Sequence, residues 1–150
     1  MPAYSFKQQF VPYVLDGTKW HTVRSRRKHP AKVGDKVYLY YGLRTKFCKN
    51  LRNEVCSKTH SIVITAGGEI IFYKKLLTDG QLPYALINPL LDALGFDKIL
   101  SGSECDRFAW LDGFRPEGST RQEPAGSFAM MLDFWRSTHS LPFVGDIIYW

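Results

Sequence analysis

Acidic residues are scarce in the first 60 positions of this chain, where three Asp/Glu stand against 13 Lys/Arg. Residues 61–150 reverse the balance, with 7 basic against 11 acidic residues, and the whole carries a net charge of +6. Charge segregated in this way can make one face positive enough to draw polyanions from a distance. A basic surface can also be merely solvated, but here the cations cluster around one short segment, which favours a polyanion. Cysteine is also sparse. The three present are an odd number without paired short spacings, so no disulfide framework is expected and a reducing compartment fits. A chain of 150 residues buries roughly 68–70% of its unfolded surface, enough to fold without disulfides or a structural metal. No apolar run approaches the ~18 residues that a membrane-spanning helix needs. Met1 to Phe10 lacks the basic region and apolar stretch of a signal peptide, so a cytoplasmic protein is expected. Without repeats, low-complexity tracts or a linker, residues 1–150 read as a single domain.

What the chain does have is aromatic residues, at 15% of the total. Large rings fill a small core, and a few of them can form a stacking surface for bases. Tyr4-Ser5-Phe6 alternates as a short strand. Gln9 to Asp16 places Phe10, Tyr13 and Val14 on one helical face, with Gly17 as a left-handed cap. Thr22-Val23-Arg24 reads as extended, and Ser25 to Lys32 as a basic loop. Val33-Gly34-Asp35 turns into a strand, Lys36 to Tyr41, and residues 42–59 read as polar and irregular. His60 to Thr65 and Glu69 to Lys75 form a hairpin around Ala66-Gly67-Gly68. Helices are expected at Pro83 to Leu94, Cys105 to Leu111 and Phe128 to Ser137, and a closing strand within Phe143 to Trp150. Short strands with three or four helices point to an α+β fold, a small β-barrel decorated by helices.

The segment Gly17-Thr18-Lys19-Trp20-His21-Thr22-Val23-Arg24 gathers the residue types that bind or attack a ligand. In an extended chain Thr22 and Arg24 share one face, and Lys19 joins them only if Gly17 and the following turn redirect it. Lys supplies a point charge or, when desolvated, a base or nucleophile; Thr supplies a hydroxyl; Arg supplies a fork suited to phosphate or carboxylate. His21 falls opposite Thr22 and reads as a packed or surface ring. Cys48, Cys56 and His60 have a conceivable zinc spacing, but no fourth ligand is evident and packed free cysteines are the simpler reading. No cofactor is expected.

The order of these features resembles the ASCH domain family, a branch of the PUA-like barrels. Gly17, Lys19, Thr22 and Arg24 match that family's Gly-x-Lys-x-x-Thr-x-Arg. Val33-Gly34-Asp35-Lys36-Val37 matches its turn into a strand, and Ala109, Asp112, Gly113 and Phe114 match its Ala-x-x-Asp-Gly-Phe. A helix with an aromatic end (Met131 to Trp135) and a final strand (Phe143 to Trp150) follow in the same order. The closest flavour is that of ASCH proteins from bacteriophages and prophages. The resemblance implies a PUA-like β-barrel with a cleft lined by the Lys, Thr and Arg, and ligands related to RNA or nucleotides. Some family members are amidohydrolases that remove acyl groups from N4-acylated cytidine with a Lys, a Thr and an acidic residue. Carried over, these are Lys19, Thr22 and Asp112, although the family's enzyme has Glu at the acidic position. Other members are described as nucleases or binding modules.

Three functions follow as expectations. The first is an RNA-binding domain with a cleft for a nucleotide or base. Arg24, Arg26, Arg27 and Lys28 would contact phosphates, joined by Arg44, Lys46 and Lys49, and Trp20 would stack a base. The second is an amidohydrolase on an N4-acylcytidine-type nucleoside, with Lys19 as base or nucleophile, Thr22 as nucleophile or oxyanion partner, and Asp112 moving protons. The third is a phage-encoded interaction protein acting on a host factor through the insertions at residues 44–59 and 76–104.

Overall fold

The computed structural model describes residues 2–73 and 98–150. The expected helix at 83–94 and the end of the expected strand at Lys74-Lys75 lie outside the described residues. Within them the chain is α+β, with strands in two sheets and helices packed on them.

The first sheet joins β1 (Ala3–Phe6), β3 (Lys36–Tyr41) and β4 (Lys49–Val55) in the order β1-β3-β4. β1 runs parallel to β3, and β4 returns antiparallel with a bulge between Leu39 and Tyr40. The second sheet has the order β2-β8-β5-β6-β7, from β2 (His21–Ser25), β8 (Phe143–Tyr149), β5 (Lys58–Ile64), β6 (Ile70–Tyr73) and β7 (Lys98–Ile99). Among the described residues, two separate ladders stand in place of the closed barrel that was expected. The edge strand β4 explains part of this: it carries Lys49, Asn50, Arg52, Asn53 and Glu54, and charge along an edge discourages further pairing. The same polarity hid β4 from the sequence, where residues 42–59 read as irregular.

The core fills the space between the sheets and two helices, α2 (Gly102–Leu111) and α3 (Ser127–Thr138). Tyr4, Leu39, Ile62 and Ile147 from the strands meet Cys105, Ala109 and Met131 from the helices, all buried. The α2 helix begins earlier than the apolar pattern indicates, because Ser101 and Glu104 form a reciprocal capping box. The short α1 (Val11–Leu15) follows a 3-10 turn over Gln8–Phe10.

β8 is the spine of the larger sheet, hydrogen-bonded to β2 on one side and β5 on the other. Gly145 sits at the crossing, opposite both Ser25 and Ile62. A Cβ there would strike the Arg24 carbonyl and the Phe143 ring, so only glycine lets β2 approach. β2 is covered on both faces: His21, Thr22 and Val23 are all buried. That double cover places the expected functional segment inside the protein.

Candidate active site

Two turns bring the site together. Asp16 ends α1, its carboxylate accepting from the Thr18 N–H at 2.8 Å. Gly17 takes φ +79°, and the Lys19 N–H then bonds the Tyr13 carbonyl at 2.9 Å. This left-handed turn redirects Lys19, which points its ammonium at the end of α2. There Asp112 closes the helix, and Gly113 at φ +105° throws Phe114 into the core against Phe10, ring centroids 5.2 Å apart.

The Lys19 ammonium donates to both the Asp112 carboxylate and the Asp112 main-chain carbonyl. Lys19 is 2% exposed, Thr22 4% and Asp112 5%, so the pair is held away from bulk water. The rings of Phe10 and Phe6 lie 5.3 and 5.7 Å from the ammonium and supply apolar cover. Burial pushes the Lys19 ammonium below its ordinary range, against the pull of Asp112. Burial pushes the Asp112 carboxyl up, against the pull of Lys19. Burial thus shifts each group toward its neutral form, while the contact between them favours the charged pair.

Thr22 is tied in from the other side. Its Oγ1 accepts from Arg24 Nε at 3.0 Å, leaving the hydroxyl proton to donate elsewhere. Arg24 is itself fixed, donating through Nη2 to the Ser5 carbonyl at 2.8 Å and lying over the Phe6 ring. Burial draws its guanidinium down to about 10.

A lysine bonded to the last carbonyl of a helix can be simply a cap. This one opens on a cleft of about 480 Å³, lined by Lys19, Thr22, Arg24 and Asp112. Its volume falls in the usual range for small-molecule sites. Phe134, Trp135 and His139 form part of its wall, and Arg26 and Arg27 also line it.

The remaining expected contacts are dispersed. Lys28 lies in a neighbouring basic pocket that shares Arg27 with the cleft. Trp20 lies outside the cleft lining and is half-buried, with the Arg121 guanidinium 5.3 Å from its ring. Arg44 and Lys46 are exposed on the loop before β4, Lys46 above the Phe47 ring, and neither lines the cleft. Lys49 is exposed at the start of β4. Cys48 is exposed and Cys56 buried, its thiol donating to the Lys58 carbonyl at 3.6 Å. His60 faces Tyr149 instead, its Nε2 3.2 Å from the hydroxyl.

His21, read from the sequence as a packed or surface ring, is packed, and it also reaches the Lys19–Asp112 pair. It is 1% exposed, stacked on Phe108 with ring centroids 4.8 Å apart, and its Nε2 is 3.4 Å from the Asp112 carboxylate. Burial, with Lys19 nearby, holds its pKa well below 6.5. A histidine kept neutral only in the folded state stabilises the fold above the unfolded pKa and loses that contribution as pH falls toward the folded one. Folding stability should therefore decline below about pH 6.5, by at most about 1.4 kcal/mol per pH unit from this group. Denaturant midpoints between pH 7.5 and 5 measure it, and His21→Phe should flatten the slope. An unchanged slope would show that His21 does not carry the acid sensitivity.

Comparison with protein-family models, with curated proteins and with solved structures finds no match.

Proposed function

We propose that the cleft binds one nucleoside-sized ligand and that Lys19, Thr22 and Asp112 hydrolyse an amide on it, of the kind found in N4-acylcytidine. The observation that carries this reading is the buried Lys19–Asp112 pair meeting Thr22 in one cleft of about 480 Å³. The ordered resemblance to the ASCH family, PUA-like barrels included, gives it chemical direction. Net polarity supports it as well: the cleft lining holds Lys7, Lys19, Arg24, Arg26 and Arg27 against the single carboxylate of Asp112.

The steps follow from the proton affinities. Asp112 takes a proton from Lys19, leaving a neutral amine in an apolar wall. That amine removes a proton from a water molecule as the water oxygen attacks the amide carbon. The carbonyl electron pair moves onto oxygen, where the Thr22 hydroxyl donates to the developing charge. Collapse re-forms the carbonyl and breaks the C–N bond, and the proton held by Asp112 passes to the departing nitrogen. Lys19 is then an ammonium and Asp112 a carboxylate, as at the start, and the product carboxylic acid ionises by giving its proton to solvent. The products are the free acid and the amine-bearing base. Arg24 fixes the Thr22 oxygen as an acceptor and so aims its proton. In this site Asp112 stands where the family's enzyme has Glu, and it contacts Lys19 directly.

Incubation with N4-acetylcytidine should release cytidine and acetate. No release with enzyme and substrate at equal concentration over hours would remove the hydrolase reading. A second reading, an RNA-binding domain, is favoured by the cationic run Arg26, Arg27 and Lys28 beside the cleft. It predicts RNA binding whose affinity falls steeply with salt, without turnover. Micromolar affinity that ignores salt would contradict its electrostatic basis.

A further inference from the structure

Cations in the cleft divide into those that are spoken for and those that are not. Lys19 is bonded to Asp112, and Arg24 to Thr22 and Ser5. Arg26 is different. Its Nε keeps an ion pair with the buried Asp146 carboxylate at 3.9 Å, too long for a hydrogen bond, and its Nη1 is buried without a hydrogen-bond partner, so its fork is only partly engaged. Arg27 is exposed, with its guanidinium stacked 4.4 Å from the Tyr4 ring, which orients the fork while leaving its edge donors open. Trp135, on the same cleft, also has a buried Nε1 without an acceptor. Buried donors left unmatched are costly, and a ligand rich in acceptors removes that cost.

Beyond Arg27 lies the second pocket, about 470 Å³, lined also by Lys28, His29 and Lys32. Its one acidic residue, Asp35, has a carboxylate oxygen occupied by the Lys32 N–H at 2.9 Å. Positive charge thus continues from the cleft into the adjoining pocket through a single shared arginine.

We infer that the substrate bears a phosphate, held by the forks of Arg26 and Arg27 where the cleft meets the basic pocket. This rests on the reading of the cleft as a site for a nucleoside unit, and it adds the charged group that the unit carries. Two forks at adjacent positions suit the several oxygens of a phosphate, whose charge-assisted bonds are among the stronger ones available. The phosphate belongs either to a free nucleotide or to a polynucleotide chain that continues along Lys28 and Lys32.

Three substrates separate these cases: N4-acetylcytidine, its 5′-monophosphate, and a short RNA containing one N4-acetylcytidine. The phosphate-bearing forms should exceed the nucleoside in kcat/KM by roughly 10- to 100-fold. A monophosphate equal to the RNA places the phosphate on a free nucleotide; an RNA that exceeds it places the site on a chain. Arg27→Gln, at an exposed position, should shrink the ratio between monophosphate and nucleoside, and Arg26→Gln should shrink it further. Equal kcat/KM for monophosphate and nucleoside, or a ratio that survives both substitutions, would overturn the inference while leaving the hydrolase reading standing. Calorimetric binding of cytidine and cytidine 5′-monophosphate reads the same subsite without turnover. Tighter binding of the monophosphate that weakens in Arg27→Gln supports the subsite even where no hydrolysis occurs, and equal affinity rejects it.

Discussion

Asp112→Ala should lower folding stability by about 3 kcal/mol or more and abolish turnover. The substitution strands the Lys19 ammonium, which is 2% exposed and surrounded by Phe6 and Phe10. Removing one partner of a buried ion pair typically costs about 3–5 kcal/mol, because the other charge is left uncompensated. Lys19 has an escape that keeps the cost toward the lower end. Its proton affinity is already reduced by burial, so it can become neutral and retain the Asp112 main-chain carbonyl as an acceptor. The double variant Lys19→Met/Asp112→Ala removes both charges and should recover most of the stability, within about 1 kcal/mol of the unaltered protein. Turnover should stay absent in both. Urea midpoints for the four members of the cycle measure the coupling. A single variant as stable as the unaltered protein would mean that the pair is solvated.

Gly145→Ala should be nearly as damaging, although it adds one methyl group and touches no reacting atom. The new Cβ would collide with the main-chain oxygen of Arg24, which cannot swing aside as a side chain can, and with the Phe143 ring. Relief requires β2 to move away from β8, and β2 carries Thr22 and Arg24. Overpacking costs about 1–3 kcal/mol in general, and a backbone obstacle in a central strand puts this case at the upper end. Turnover should fall with stability, since Thr22 loses its place in the cleft that Lys19 also lines. Gly34→Ala is the useful contrast. Its φ of +92° is unfavourable for alanine, but no atom lies within 4 Å of the new Cβ, so a loss of about 1–2 kcal/mol without a specific loss of turnover is expected. Equal effects at the two glycines would show that β2 tolerates displacement.

Much of the chain declared itself through periodicity and glycine. Tyr4 and Phe6, Val37 and Leu39, and Ile62 and Ile64 alternate as buried faces of strands, and Met131 with Trp135 marks the buried face of α3. Gly17 signalled a left-handed turn, and that turn is what carries Lys19 to Asp112 across 93 positions of sequence. β4 escaped because an exposed edge strand has no apolar alternation to read. For His21 the packed ring was legible, and its place beside Asp112 was not. Alternation assigns it to the face opposite Thr22, but β2 is buried on both faces, so that face is interior as well and meets Phe108. Net charge was the least spatial of the signals. It singled out Arg26 and Arg27, which line the cleft, and equally Arg44 and Lys46, which do not. Composition counts cations, whereas only the turns decide which of them converge. Trp20 follows the same rule: it neighbours Lys19 in sequence, but the turn after Gly17 sends it toward Arg121.

Lys19, paired with Asp112 in the cleft that Thr22 also lines, is proposed as a proton-transferring group and not only a helix cap. Release of cytidine from N4-acetylcytidine by the unaltered protein, Lys19→Met and Thr22→Ala, each first shown to be folded by near-ultraviolet circular dichroism, tests it most directly. Steady release is expected from the unaltered protein, none above background from Lys19→Met, and a reduction of about 10²–10³ in kcat for Thr22→Ala, the loss expected on removing one oxyanion donor. A folded Lys19→Met variant that releases cytidine as fast as the unaltered protein would contradict it.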